Sequence, residues 1–184
     1  MTLASVLLIC HVTAAVVLIA DWIGVTGLRS AWSTGQVREP LKAIRASAAF
    51  GPIARLTVLA AGLWLAIVAW SWQGWIIVGL VGWTTLVLLG EPLTGKDMRA
   101  MVAAVGAAED GALPPEVLDR IHEPRLWSSV LTRTGVVTGI FTCMIGKPGL
   151  AVGLGVLLGG YLLGFVAVKL TPQPAPPRSA RPGG

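Results

Sequence analysis

Five stretches of this sequence stay apolar for about the length that a helix needs to cross a bilayer, roughly 20 residues. A backbone passing through hydrocarbon must satisfy its own N–H and C=O groups, and an α-helix does so within one segment. The runs cover residues 2–26, 51–72, 75–90, 126–146 and 149–170, the third being the shortest. SWQG joins the second to the third, and MIGKPGL, with Pro148 and Gly149 as breakers, joins the fourth to the fifth, so each pair reads as a tight helical hairpin. Composition agrees: 54% of the 184 residues are hydrophobic and 12% charged, about half the charge of a typical soluble domain. The expected fold is all-α, a five-span transmembrane helical bundle forming one membrane domain over residues 1–170. The partner it implies is the lipid bilayer.

Charge gives the orientation. The net charge of +5 is placed as in membrane proteins, where Lys and Arg crowd cytoplasmic loops, and does not indicate nucleic acid. Arg29, Arg38, Lys42 and Arg45 lie in one inter-span segment, Lys96, Arg99, Arg120 and Arg125 in another, and Lys169, Arg178 and Arg181 at the end. The opposite side has Lys147. The N-terminus is therefore expected outside and the C-terminus in the cytoplasm, as an odd number of spans requires. Trp70, Trp72 and Trp75 match an outer aromatic belt, and Trp22, Trp32 and Trp127 an inner one. The first run has no basic residue before Arg29, unlike the positive start of a cleavable signal.

The inner segments carry short amphipathic helices. In EPLKAIRASAAF, Pro40 is placed for a helix start, with Leu41, Ile44 and Ala48 at helical spacing. GKDMRAMVAAVGAAEDG sets Met98, Met101, Val102 and Val105 on one side, and LPPEVLDRIHEP is a further short helix between prolines. Residues 171–184, TPQPAPPRSARPGG, are Pro-rich without a large apolar residue and read as a disordered tail.

RLWSSVLTRTGVVTGIFTCMIGKPGL, a proline-flanked helix and span closing on Met144-x-x-Lys147-Pro148-Gly149, resembles the bacterial integral membrane family catalogued as domain of unknown function 2269. ICHVTAAVVLIADWIGV is similar to that family's first helix, with a His early in the run. The resemblance covers most of residues 1–170 and implies a bacterial inner-membrane protein without implying a reaction. The first helix also distantly resembles copper-resistance and protoporphyrinogen-oxidase-like membrane proteins, which use more than one intramembrane His. Here His11 lies in a span and His122 in a loop, which argues against bis-histidine haem ligation within one chain.

Ionisable groups inside spans mark candidate sites, because a charge in lipid normally pairs and faces the bundle. At 1.5 Å per residue, Asp21, Arg55 and Glu91 fall roughly 10 Å, and Arg133 roughly 5 Å, to the cytoplasmic side of the midplane. They form a candidate polar layer in which Asp21–Arg133 is the favoured pair. Arg55 and Glu91 are near helix ends, where snorkelling to the interface is the simpler reading. Cys10, Ala14, Val17, Asp21 and Gly24 share one small, polar face of the first helix, suited to packing. His11 is expected roughly 100° away, on a flank with Ala15, Leu18 and Trp22.

Cys10, His11, Cys143 and Met144 fall on the outer halves of their spans and are soft ligands suited to copper or haem, although no spacing rule supports the set. The last span holds Gly149/Gly153, Gly155/Gly159 and Gly160/Gly164 in GxxxG spacing, for packing within the chain or against a second helix or copy. Nucleophilic triads, HExxH, P-loop and dinucleotide fingerprints are absent, Glu116, Asp119 and Glu123 form a solvated acidic face, and no catalytic residue or metal site is assigned. The leading expectation is a structural or accessory membrane protein without a cofactor. A haem b- or copper-handling protein using His11 is the alternative, and a small transporter working through the inner polar layer a third.

Overall fold

The computed structural model of the protein describes residues 2–28, 33–90, 95–107 and 115–170, with their side chains except at positions 20–27, 34, 43, 46–49, 89–90, 102 and 106–107. The Pro-rich segment 171–184, Glu91 and Trp32 lie outside the described residues, as do the side chains of Asp21, Trp22, Ala48 and Val102. Within the described residues the chain is all-helical, with no strand. The order is α1 (Leu3–Gly27), α2 (Thr34–Leu65) continued by a π-helical turn (Ala66–Trp70), α3 (Gly74–Gly90), α4 (Lys96–Ala107), α5 (Pro115–Ile121), α6 (Pro124–Gly146) and α7 (Leu150–Leu170). Three helical stretches, Phe50–Trp70, Pro115–Gly146 and Leu150–Leu170, are long and apolar enough to cross a membrane. Leu3–Ile19 and Gly74–Leu88 are shorter apolar helices.

The described chain forms two compact units. One comprises residues 2–71 with 102–117, and the other residues 72–101 with 118–170. In the first, α1 packs along α2. The start of α2 corrects the sequence reading, which opened a separate inner helix at Pro40. Ser33 caps the helix instead: its Oγ accepts the Gln36 N–H (3.4 Å), and the Gln36 side-chain oxygen accepts the Ser33 N–H (3.2 Å). This reciprocal pair satisfies end donors that a helix cannot satisfy itself. Pro40 and Pro52 then lie inside a single 32-residue helix. Each removes one N–H and crowds the carbonyl four residues back, yet a stripe of buried Val37, Leu41 and Ile44 holds the helix across the first of them. The expected inner helix and the second span are one continuous rod.

In the second unit, α6 is the central helix, packed by α7 and α3. Pro124 sits at its start, where the missing N–H costs nothing. Its end turns through Lys147 in the left-handed conformation (φ 45°, ψ 47°), whose N–H bonds to the Cys143 carbonyl at 2.9 Å. A lysine therefore fills the position that glycine usually occupies, and Pro148 and Gly149 follow it. Trp75 and Trp127, assigned to the aromatic belts from sequence, are buried among the helices. Both are 3% exposed. Trp75 donates its ring N–H to the Gln73 side chain (2.9 Å) and lies under the Lys147 ammonium (5.8 Å), while Trp127 donates to the Ile121 carbonyl. Each ring has its polar handle satisfied and serves as a packing anchor.

Glycines set the interhelix distances here. A Cβ on Gly135 would fall on the Gly160 carbonyl, and one on Gly160 on the Gly135 carbonyl, so α6 and α7 touch backbone to backbone. One on Gly164 would lie 2.8 Å from the Thr132 Cα, and one on Gly74 2.8 Å from the Leu150 Cα. The GxxxG pairs expected in the last span thus split. Gly153, Gly160 and Gly164 are in close contact, whereas Gly149, Gly155 and Gly159 have nothing within 4 Å. Gly135→Ala and Gly160→Ala are expected each to cost about 1–3 kcal/mol by forcing the helices apart. Gly155→Ala and Gly159→Ala should be neutral or gain up to about 1 kcal/mol in helix propensity. Thermal unfolding in detergent compares the four, and equal losses at all of them would contradict this packing.

Candidate functional site

His11 is the candidate residue with the best-defined surroundings. Its Nδ1 lies 2.9 Å from the Val58 carbonyl oxygen of α2. A carbonyl only accepts, so Nδ1 carries the proton and donates, which in the neutral ring leaves Nε2 with its lone pair. Gly62 makes room for the ring: a Cβ there would come within 3.0 Å of His11 Cε1. The helical phase expected from sequence is therefore rotated. His11 packs on α2, with Leu7, Ala15 and Leu18 half-buried and Ala14 buried beside it, while Cys10 and Val17 are exposed. The small-residue pattern misled here because the space for packing is supplied by Gly62 on the partner helix.

Of the candidate polar layer, two residues have described side chains. Arg55 on α2 is exposed. Arg133 is half-buried in the middle of α6 and donates its Nε–H to the Ser129 carbonyl one turn back (3.2 Å). Ser129 itself is buried, and its hydroxyl has no hydrogen-bond partner among the described residues. Further along α6 the threonines satisfy their own hydroxyls. Thr134 donates to the Val130 carbonyl, Thr138 to that of Thr134 and Thr142 to that of Thr138, at 2.9–3.0 Å. This back-bonding allows Thr on an apolar helix surface without a stranded donor.

Cys143 and Met144 are engaged in packing. The buried Cys143 thiol faces the Gly153 carbonyl (3.6 Å), and the Met144 methyl fills the space over Gly79, where a Cβ would come within 2.6 Å. His122 directs Nδ1 to the Leu118 carbonyl (2.9 Å). Glu116, Asp119 and Glu123 are exposed, as a solvated acidic face requires, and Arg120 pairs instead with Asp97 of α4 (3.0 Å). Among the described residues, no three His, Cys, Asp or Glu side chains gather to hold a metal ion. Two features were readable in the sequence and not picked out: the Ser33–Gln36 capping box, by its S-x-x-Q spacing, and Gly135/Gly139 on α6, by its GxxxG spacing.

No protein-family model, curated protein or solved structure matches this chain.

Proposed function

We propose that the chain is a multi-pass protein of a bacterial inner membrane with five spans, the N-terminus outside and the C-terminus in the cytoplasm, acting as a structural or accessory component. The observation that carries the membrane part is where the large apolar side chains lie. Ile145, Leu163 and Ile67 are 82%, 72% and 69% exposed, on the three helices long enough to cross a bilayer. Large apolar side chains this exposed, on helices of membrane-spanning length, are what a lipid environment would cover. Two further helices extend the count to five: the 25-residue α1 is about 37 Å long and the 17-residue α3 about 25 Å, against a core of about 30 Å. The bias of Lys and Arg supports the orientation, and the resemblance of the first helix and of the Met144–Gly149 stretch supports a bacterial source. A reporter fused after Gly184 should read cytoplasmic and one inserted at Gly74 outside. Both on the same side would overturn the five-span reading.

From the sequence alone, the similar depth of Asp21 and Arg133 along their spans supports the proposal that they form a charge pair. Opposite charges at similar depth in a bilayer are cheaper to hold together than apart. Asp21→Asn and Arg133→Gln should each destabilise the protein in detergent, by about 3 kcal/mol or less. The double variant should recover part of the loss, and strictly additive effects would show that the two residues do not interact.

A second reading, a haem- or copper-handling protein, is favoured by one observation. The Nδ1–H bond to the Val58 carbonyl orients His11 as outer-shell hydrogen bonds orient metal-bound imidazoles. A single axial His can hold haem. The structural reading expects no Soret band and no stoichiometric copper in protein purified from haem-replete cells. A Soret band lost in His11→Ala and kept in His122→Ala would put the second reading first.

A further inference from the structure

We propose that the crevice between α3 and α7, floored by α6, binds an isoprenoid quinone. The two outer helices are tightest at their N-terminal ends. There Gly74 lies against the Leu150 backbone, and Gly153 against Val78, whose Cγ2 would be 2.9 Å from an added Cβ. Beyond that contact lies a crevice of about 330 Å³, lined by Thr85, Val136, Leu154, Leu157, Leu158 and Tyr161. That volume is at the lower end of the range of ligand pockets. Val136 is the buried floor, and Leu157, which also lines the crevice, packs close over Gly139 and Gly82. Leu154 and Leu158 stay exposed along the wall. The crevice is thus apolar and open to the surface that lipid covers in the five-span reading, on which this inference rests.

Its two hydroxyls say what the occupant must bring. Tyr161 is at the middle of the 21-residue α7, so its phenol spans only part of the roughly 15 Å to either interface. Unlike the threonines of α6, a phenol cannot reach back to its own helix carbonyls, and the Tyr161 hydroxyl has no partner among the described residues. An unpaired donor in hydrocarbon is costly. Thr85 donates to the Val81 carbonyl at 2.9 Å and keeps its oxygen lone pairs for a second bond. The occupant therefore offers an acceptor near the midplane on an otherwise apolar body. A phospholipid acyl chain has no acceptor there, its ester carbonyls being at the headgroups. A helix of a second copy has its carbonyls already bonded. A membrane-dissolved quinone has a ring carbonyl to accept from Tyr161 and a branched hydrocarbon tail to lie on Leu154 and Leu158. In its quinol form, a ring hydroxyl can donate to Thr85 Oγ.

The test titrates the full chain in detergent micelles with ubiquinone carrying two isoprene units, following quenching of tryptophan emission. Trp83 is two residues from Thr85 on α3. Saturable quenching is expected, with affinity lowered roughly two- to tenfold in Tyr161→Phe, the range for loss of one neutral hydrogen bond. Excess squalene, an isoprenoid hydrocarbon without oxygen, should not displace the quinone. In Thr85→Val, competition by the corresponding quinol should weaken two- to tenfold while the quinone binds as before. That second variant decides the matter if Tyr161→Phe does not fold. Quenching that rises without saturation, affinity unchanged in the folded variants, or displacement by squalene would overturn the proposal. The topology reporters are a separate measurement, so failure of the five-span reading and failure of the quinone site are distinguishable.

Discussion

The backbone contact between α6 and α7 governs the second unit. Gly135 and Gly160 meet with no side chain between them, and Gly164 extends the contact toward Leu131 and Thr132. Helices that meet in lipid have no hydrophobic drive to associate and rely on dispersion between closely apposed backbones, the kind of contact made here. That proximity fixes much else. It seats the Cys143 thiol on the Gly153 carbonyl and brings Leu157 over Gly139. α3 docks on the resulting pair through Gly74, Gly79 and Gly82, each facing an atom that a Cβ would strike. Small residues on three helices thus determine where the large ones go.

The first unit uses a different device. α1 meets α2 through a polar side chain and a carbonyl, His11 to Val58, with Gly62 as the gap that admits the ring. A hydrogen bond of this kind adds direction to the packing, since the ring must present Nδ1 to one particular turn of α2. Model systems put such interhelical bonds at about 0.6–2 kcal/mol in a membrane setting. The contact is therefore better suited to fixing register than to supplying bulk stability.

Much of this was legible from the residues. The helical class followed from run length and charge content, and α3, α6 and α7 begin within two residues of their expected positions, because Pro124, Pro148 and the SWQG turn punctuate the chain. α2 was misread, since Pro40 signals a helix start only if nothing upstream caps the helix, and Ser33 with Gln36 does. The outward face of α1 was misassigned because a one-helix pattern carries no record of the hole that Gly62 opens in its neighbour. The GxxxG spacing of α7 named six glycines and could not tell the three that touch a neighbour from the three that do not, since spacing is blind to which side the partner occupies.

The length of α2 has a mechanical meaning. Arg38 and Val58 are twenty residues apart on one helix, a separation of about 30 Å along a stiff rod. No loop separates the basic end from the turn that holds His11, so the two are coupled except for what bends between them. Pro40 and Pro52 each delete one rung of the hydrogen-bond ladder, so bending concentrates at those two points. The stretch between the two prolines is an unbroken piece of ladder with a weakened rung at each end.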